Sequence, residues 1–180
     1  MEIFSFIPLR DIGVSINNSY SLIGKEYRNV SKYAPSDTRL SFSLSFSFDK
    51  AKLRAFESFF ISKQARVGSF FIRSLRVDFD NVNIVSSALQ TLSSNKTFGV
   101  YARRAFIYNR RTKGIYEIQN VIIGNGVDQI YLKSGIDEFE KDDELENCYK
   151  VRFDSDTLRA TKISPNRYKV DMSFKEVIDE

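Results

Sequence analysis

Over residues 40–48 the side chains alternate without a break, with Leu40, Phe42, Leu44, Phe46 and Phe48 on one side and Ser41, Ser43, Ser45 and Ser47 on the other. Successive side chains of a strand point to opposite faces, so this two-residue period describes a β-strand with one wholly apolar face. Five large apolar residues along one face require a second layer over them. The four serines opposite form a thin, uncharged face that another backbone can approach closely. Composition points the same way: 16 Phe and 9 Tyr among 180 residues, with no Trp, are residue types that favour pleated, half-buried surfaces. The expected fold is mainly β, a β-sandwich or barrel, with one main α-helix.

That helix begins where the period changes. Asp49 is a suitable N-cap, and Leu53, Phe56 and Phe60 then recur at helical spacing with Phe59 beside the same stripe, which predicts a helix over 50–64. Lys50, Lys52 and Arg54 near its start oppose the helix dipole, so tertiary packing or a contact must hold this end. Gly68 closes the segment. The expected core is therefore Leu40, Phe42, Leu44, Phe46, Phe48, Leu53, Phe56 and Phe60.

Elsewhere the pattern is of short strands: 3–7, 12–16 and 20–23 near the start, a long loop over 25–37, a strand over 69–77 and an ambiguous stretch over 81–95. A meander follows, with strands at 98–108, 115–123 and 127–132. The polar turn Asn109-Arg110-Arg111-Thr112-Lys113-Gly114 joins the first two, and Gly124-Asn125-Gly126 the others. Two last strands fall at 148–153 and 168–174, and the latter pairs in one sheet with 40–48, because both alternate strictly and must bury one face. The domain reading is 1–97 with 148–180 as a β-sandwich carrying the helix, and 98–147 as a β-rich insert ending in an acidic loop.

The absence of His removes the Ser-His-Asp and Cys-His arrangements and His-ligated zinc. A single Cys148 forms no internal disulfide and reads as a buried small side chain. The first ten residues lack a signal peptide's basic start, and no window approaches the length of a membrane span, so a soluble, cytoplasmically made protein without membrane insertion is expected. No catalytic residue, cofactor or metal ligand is assigned, and the chain is read as not an enzyme.

The net charge of +4 is unevenly spread. Residues 134–147 hold seven acids (Asp137, Glu138, Glu140, Asp142, Asp143, Glu144, Glu146) and one base (Lys141), a net −6 that leaves +10 on the rest. Unlike patches suit a subunit that meets a copy of itself, although an acidic loop can also simply be solvated. Arg110, Arg111 and Lys113 at the hairpin tip are the candidate match, either between subunits or with an adjoining protein. The same tip with Arg103, Arg104, Tyr101, Phe106, Tyr108 and Tyr116 supports the alternative of a nucleic-acid-binding β-barrel, since single-strand binders combine cations with stacking rings. Three weaker motifs go to bland readings. Gly124-Asn125-Gly126 lacks the strand-turn-helix setting of a dinucleotide site, the acidic loop lacks EF-hand spacing, and Asp154-Ser155-Asp156 reads as a turn.

Arg39 leading the alternating strand, the helix with Phe59-Phe60, Gly68-Ser69-Phe70, and the closing pair Val151-Arg152-Phe153-Asp154 and Tyr168 to Val177 together resemble the pattern of tailed-bacteriophage minor and distal tail proteins. The matched regions are 39–80 and 149–177; Leu40 stands where that pattern has Trp, and 98–132 has no counterpart. The resemblance implies a tail-tube-like fold and a structural virion protein located in the tail and assembled in the host cytoplasm. It implies a homo-oligomeric ring, with a hexamer as one candidate stoichiometry, that joins the tail tube to the tail tip. Its partners would be itself and adjoining tail proteins, with DNA in the lumen as a candidate non-specific contact.

Overall fold

A computed structural model describes residues 2–9, 13–17, 21–23, 31–33, 39–97, 106–124 and 126–177. The protein is mainly β, and the described residues contain one α-helix, Lys50–Ser62. The chain divides into two compact units, one of Met1–Ser5 with Phe70–Lys150 and one of Phe6–Ser69 with Val151–Glu180. The 98–147 segment lies wholly inside the first unit, which also takes in 70–97.

In the second unit the strand Arg39–Phe48 pairs antiparallel with Arg167–Glu176 in the register Phe48↔Tyr168, Phe46↔Val170, Leu44↔Met172 and Phe42↔Phe174, as the shared alternation predicts. Directly opposed residues share a face, so the apolar sets of both strands form one surface. Leu40, Phe42, Leu44, Phe46 and Phe48 are all buried, as are Val170, Met172 and Phe174. Gly13–Asn17 pairs with the other edge of Arg39–Phe48. Two segments share the outer edge of Arg167–Glu176: Val151–Phe153 opposite its end, and Ala160–Ser164 opposite its start.

The helix starts as expected, with the Asp49 carboxylate accepting the Lys52 N–H at 2.8 Å. It ends at Ser62, two residues early, because Gln64 and Ala65 take left-handed φ values of 48° and 51°. Gly68 closes the turn by donating its N–H to the Lys63 carbonyl at 2.7 Å. A Cβ there would lie 2.7 Å from that oxygen, so only glycine fits. Leu53, Phe56 and Phe60 are the helix's buried residues. The Phe56 ring centroid sits 5.2 and 5.5 Å from those of Phe48 and Phe46, and Phe60 meets Phe153 edge-on at 4.8 Å.

Several sequence readings are corrected. Residues 3–7 form no strand beyond the single bridge Ile3↔Phe71, and Ser31–Tyr33, inside the expected 25–37 loop, is a strand paired with Ser21–Ile23. The 69–77 strand is only Phe70–Arg73, since Leu75 takes φ 63° and the chain swings out before rejoining the strand Leu145–Phe153 through Asp78 N–H to the Leu145 carbonyl. Leu145–Phe153 begins three residues before the expected 148, because Leu145 and the Glu146 carboxylate are buried. Ala160–Ser164 went unseen because all five of its residues are exposed and show no apolar alternation. The ambiguous 81–95 stretch is a hairpin of Asn83–Ser86 and Thr91–Ser94. Of the expected 98–108 strand, 98–105 lie outside the described residues and the rest belongs to the strand Phe106–Asn109, while Ile115–Ile122 and Asp128–Leu132 form the expected hairpin.

Phe56 is fully buried, and losing a buried Phe costs about 3–5 kcal/mol. We expect Phe56→Ala to lower the melting temperature by about 6–20 °C in calorimetry. An unchanged value would remove the helix from this core.

Candidate functional site: an arginine–carboxylate cluster

The acidic segment and the basic hairpin tip lie in the first unit, and the structure brings them together within one chain. Phe106–Asn109 pairs on one side with Ile115–Ile122 and on the other with Leu145–Phe153, which puts the 110–114 turn beside residues 143–146. Asn109, fully buried, organises the turn. Its Oδ1 accepts the N–H groups of Arg111 and Thr112, and its Nδ2 donates to Asp143 Oδ2 at 2.6 Å. An Asn whose side chain binds the backbone two residues on is a turn-former in its own right. Lys113 completes the reversal at φ 58°.

Arg111 grips Asp143 with two parallel bonds, Nε to Oδ1 at 2.7 Å and a terminal nitrogen to Oδ2 at 3.0 Å, the geometry in which a guanidinium binds a carboxylate most specifically. It also donates to the Glu138 carbonyl at 2.8 Å and pairs with Glu140 at 3.1 Å. Arg110 donates to Glu146 at 2.5 Å and to Glu144 at 2.9 Å. Glu146, nearly inaccessible, further accepts the Leu75 N–H and faces Arg73, whose guanidinium lies 4.5 Å from the centre of the Tyr108 ring. Tyr116 donates its hydroxyl to Glu138 at 2.6 Å. Gly135 lies flat against that ring at φ 92°, where a Cβ would come within 2.8 Å of it.

Among the candidate residues, Arg110, Arg111, Glu138, Glu140, Asp143, Glu144 and Glu146 therefore pair with one another or with neighbours in the same chain. Lys113, Asp137 and Asp142 are exposed and make no side-chain bond among the described residues. Reasoning from charge alone missed Asn109, Arg73 and the Leu75 amide. Only the Asn at the head of a polar turn was a usable signal.

Burial by itself would raise the Asp143 carboxyl. The Arg111 guanidinium, the Glu140 N–H and the Asn109 amide together outweigh burial and hold it below the ordinary carboxylate range. A carboxyl held that low is no general base at neutral pH. Burial pushes the Cys148 thiol far up, which makes it a packing residue against Phe71 and Tyr108. Arg110 and Arg111 face carboxylates, so the nucleic-acid alternative loses two cations at this turn. Tyr101, Arg103 and Arg104 lie outside the described residues. Asp154-Ser155-Asp156 forms a bend in the second unit, where the Asp154 carbonyl accepts both Nε and a terminal nitrogen of Arg66. No family model and no curated protein sequence matches the chain.

Asp143→Ala should cost about 1–3 kcal/mol, because it strands the Asn109 amide and the Glu140 N–H without their acceptor. The sign with pH follows from the lowered carboxyl. Its stabilisation is complete above the unfolded value near 4 and fades as pH falls through the lower folded value. Urea melts from pH 7 to pH 2 should therefore show wild type and Asp143→Ala converging at the acid end. A constant gap would place the Asp143 contribution outside this ion pair.

Proposed function

We propose that the protein is a structural component of a bacteriophage tail, a distal or minor tail protein whose copies form a ring joining the tail tube to the tail tip. One observation carries this reading. Most of the two segments that resemble such proteins, 39–69 and 151–177, lie far apart in sequence, yet they fall in one unit and share its core, while 70–80 and 149–150 belong to the other unit. The Arg-led strand Arg39–Phe48 runs beside the closing strand Arg167–Glu176 over eight residue pairs. Phe60 of the helical Phe-Phe pair rests on Phe153 of the Val-Arg-Phe-Asp segment. The arginine–carboxylate cluster supports the same reading, because charges paired this way stiffen a turn, and a stiff surface is what an assembly subunit offers its neighbours.

The reading is tested on the full chain, alone and co-expressed with the products of its neighbouring genes. Light scattering should give a mass that is a fixed multiple of 20.8 kDa, and negative-stain images should show closed rings or tail-tip particles containing the protein. A chain that stays monomeric at every concentration and joins no tail-tip particle would overturn it. Binding of single-stranded DNA by that monomer would promote the nucleic-acid alternative.

A further inference from the structure

With Arg110 and Arg111 matched inside their own chain, any attraction between copies must use other charges. On the acidic segment the exposed Asp137 and Asp142 have no side-chain partner among the described residues, and the segment stays at −4 even with the two arginines counted. The complement lies on the second unit, which carries 16 bases against 11 acids.

Several bases there are already paired: Lys169 with Asp171, Lys175 with Asp154, and Arg66 with Asp156. The exposed bases without a carboxylate partner among the described residues include Lys50, Lys52, Lys162 and Arg167, and strand register gathers these four at one end of the sheet. Phe48 is opposite Tyr168, so the helix start two residues after Phe48 lies at the same end as the turn entering Arg167. Lys162 is also opposite Tyr168, from the other side. One carboxylate stands among them, Asp49, which caps the helix by accepting the Lys52 N–H, and the first helical turn itself contains no acid.

We propose that this basic end docks on the acidic segment of a second copy, with Lys50, Lys52, Lys162 and Arg167 facing Asp137 and Asp142. The inference rests on the assembly reading above and names the surfaces that assembly uses. A second copy is the favoured occupant because each molecule carries both the patch and its complement. Two unlike patches make a head-to-tail contact, the kind that closes into rings. Exposed pairs contribute little each, so the match steers encounter and sets register.

Sedimentation velocity on the full chain tests this at about 0.1 M and 1 M NaCl, where the screening length falls from roughly 10 to 3 Å. The variants are the triple Lys50→Glu, Lys162→Glu, Arg167→Glu and the double Asp137→Lys, Asp142→Lys. All five side chains are exposed, and the corresponding Gln and Asn variants control for folding. Each charge-reversed variant alone should associate about tenfold more weakly than wild type at low salt, and a 1:1 mixture of the two should recover association. Wild-type rings that both variants form equally well would overturn the docking and leave the ring reading standing. A wild type that never associates would overturn the docking, and the ring reading would then be decided by the co-expression result. If the triple variant keeps full self-association but loses binding to a single-stranded oligonucleotide, the basic end is a polyanion site and the proposal is overturned.

Discussion

The antiparallel pairing of Arg39–Phe48 with Arg167–Glu176 is the interaction on which the second unit depends. Its partners are 120 or more residues apart, as in Ser45, whose hydroxyl donates to the Asp171 carboxylate. Closing so long a loop is entropically costly and is repaid only when the apolar faces meet. Once they do, Phe42, Leu44, Phe46 and Phe48 with Val170, Met172 and Phe174 form one continuous surface. The helix has a place to put Phe56, and Phe153 can lie between Phe60 and Phe174, with ring centroids 4.8 and 5.3 Å away. The weak local electrostatics of the helix start are then tolerable, since packing rather than the dipole fixes it.

The first unit faces a different constraint, because it buries carboxylates. Asp78 and Glu146 are almost inaccessible, and a buried charge left unpaired is among the costliest defects a fold can carry. Each is answered by several donors. Asp78 accepts the Asn147 N–H, the Ser74 hydroxyl and Arg76, which pins the loop after Phe70–Arg73 back onto Leu145–Phe153. Glu146 takes Arg110 and the Leu75 N–H. The acidic segment is thus a set of acceptors around which loops and the hairpin tip are ordered, and most of its charge has an internal role.

How much of this was legible in the sequence follows from which interactions are periodic. Residues 40–48, 168–174 and the Leu53, Phe56, Phe60 stripe could be read because burial on one face leaves a regular trace. The Gly124-Asn125-Gly126 hairpin could be read because turn geometry selects its residues, and Gly126 sits at φ 91°. Ala160–Ser164 left no trace, since a strand exposed on both faces has no reason to alternate. The charge match between Arg110, Arg111 and the acidic segment was visible, but its location was not. Composition tells that unlike charges are present, while only the pairing of Phe106–Asn109 with Leu145–Phe153 decides that they meet within one chain.

Strand edges within each unit are guarded against strand addition. A free strand edge invites another strand, and natural sheets blunt it with charge, proline or a bulge. Ala160–Ser164 has all three nearby: Lys162 on the face shared with Tyr168, a register shift between Lys162 and Ser164, and Pro165 in the turn. Asn83–Ser86 is four residues long and is interrupted by a register shift between Ile84 and Ser86. Both edges are thus poor templates for strand addition. The features that discourage backbone pairing at Ala160–Ser164 also place Lys162 and Arg167 in solvent, so the device that prevents strand addition leaves charged side chains displayed in its stead.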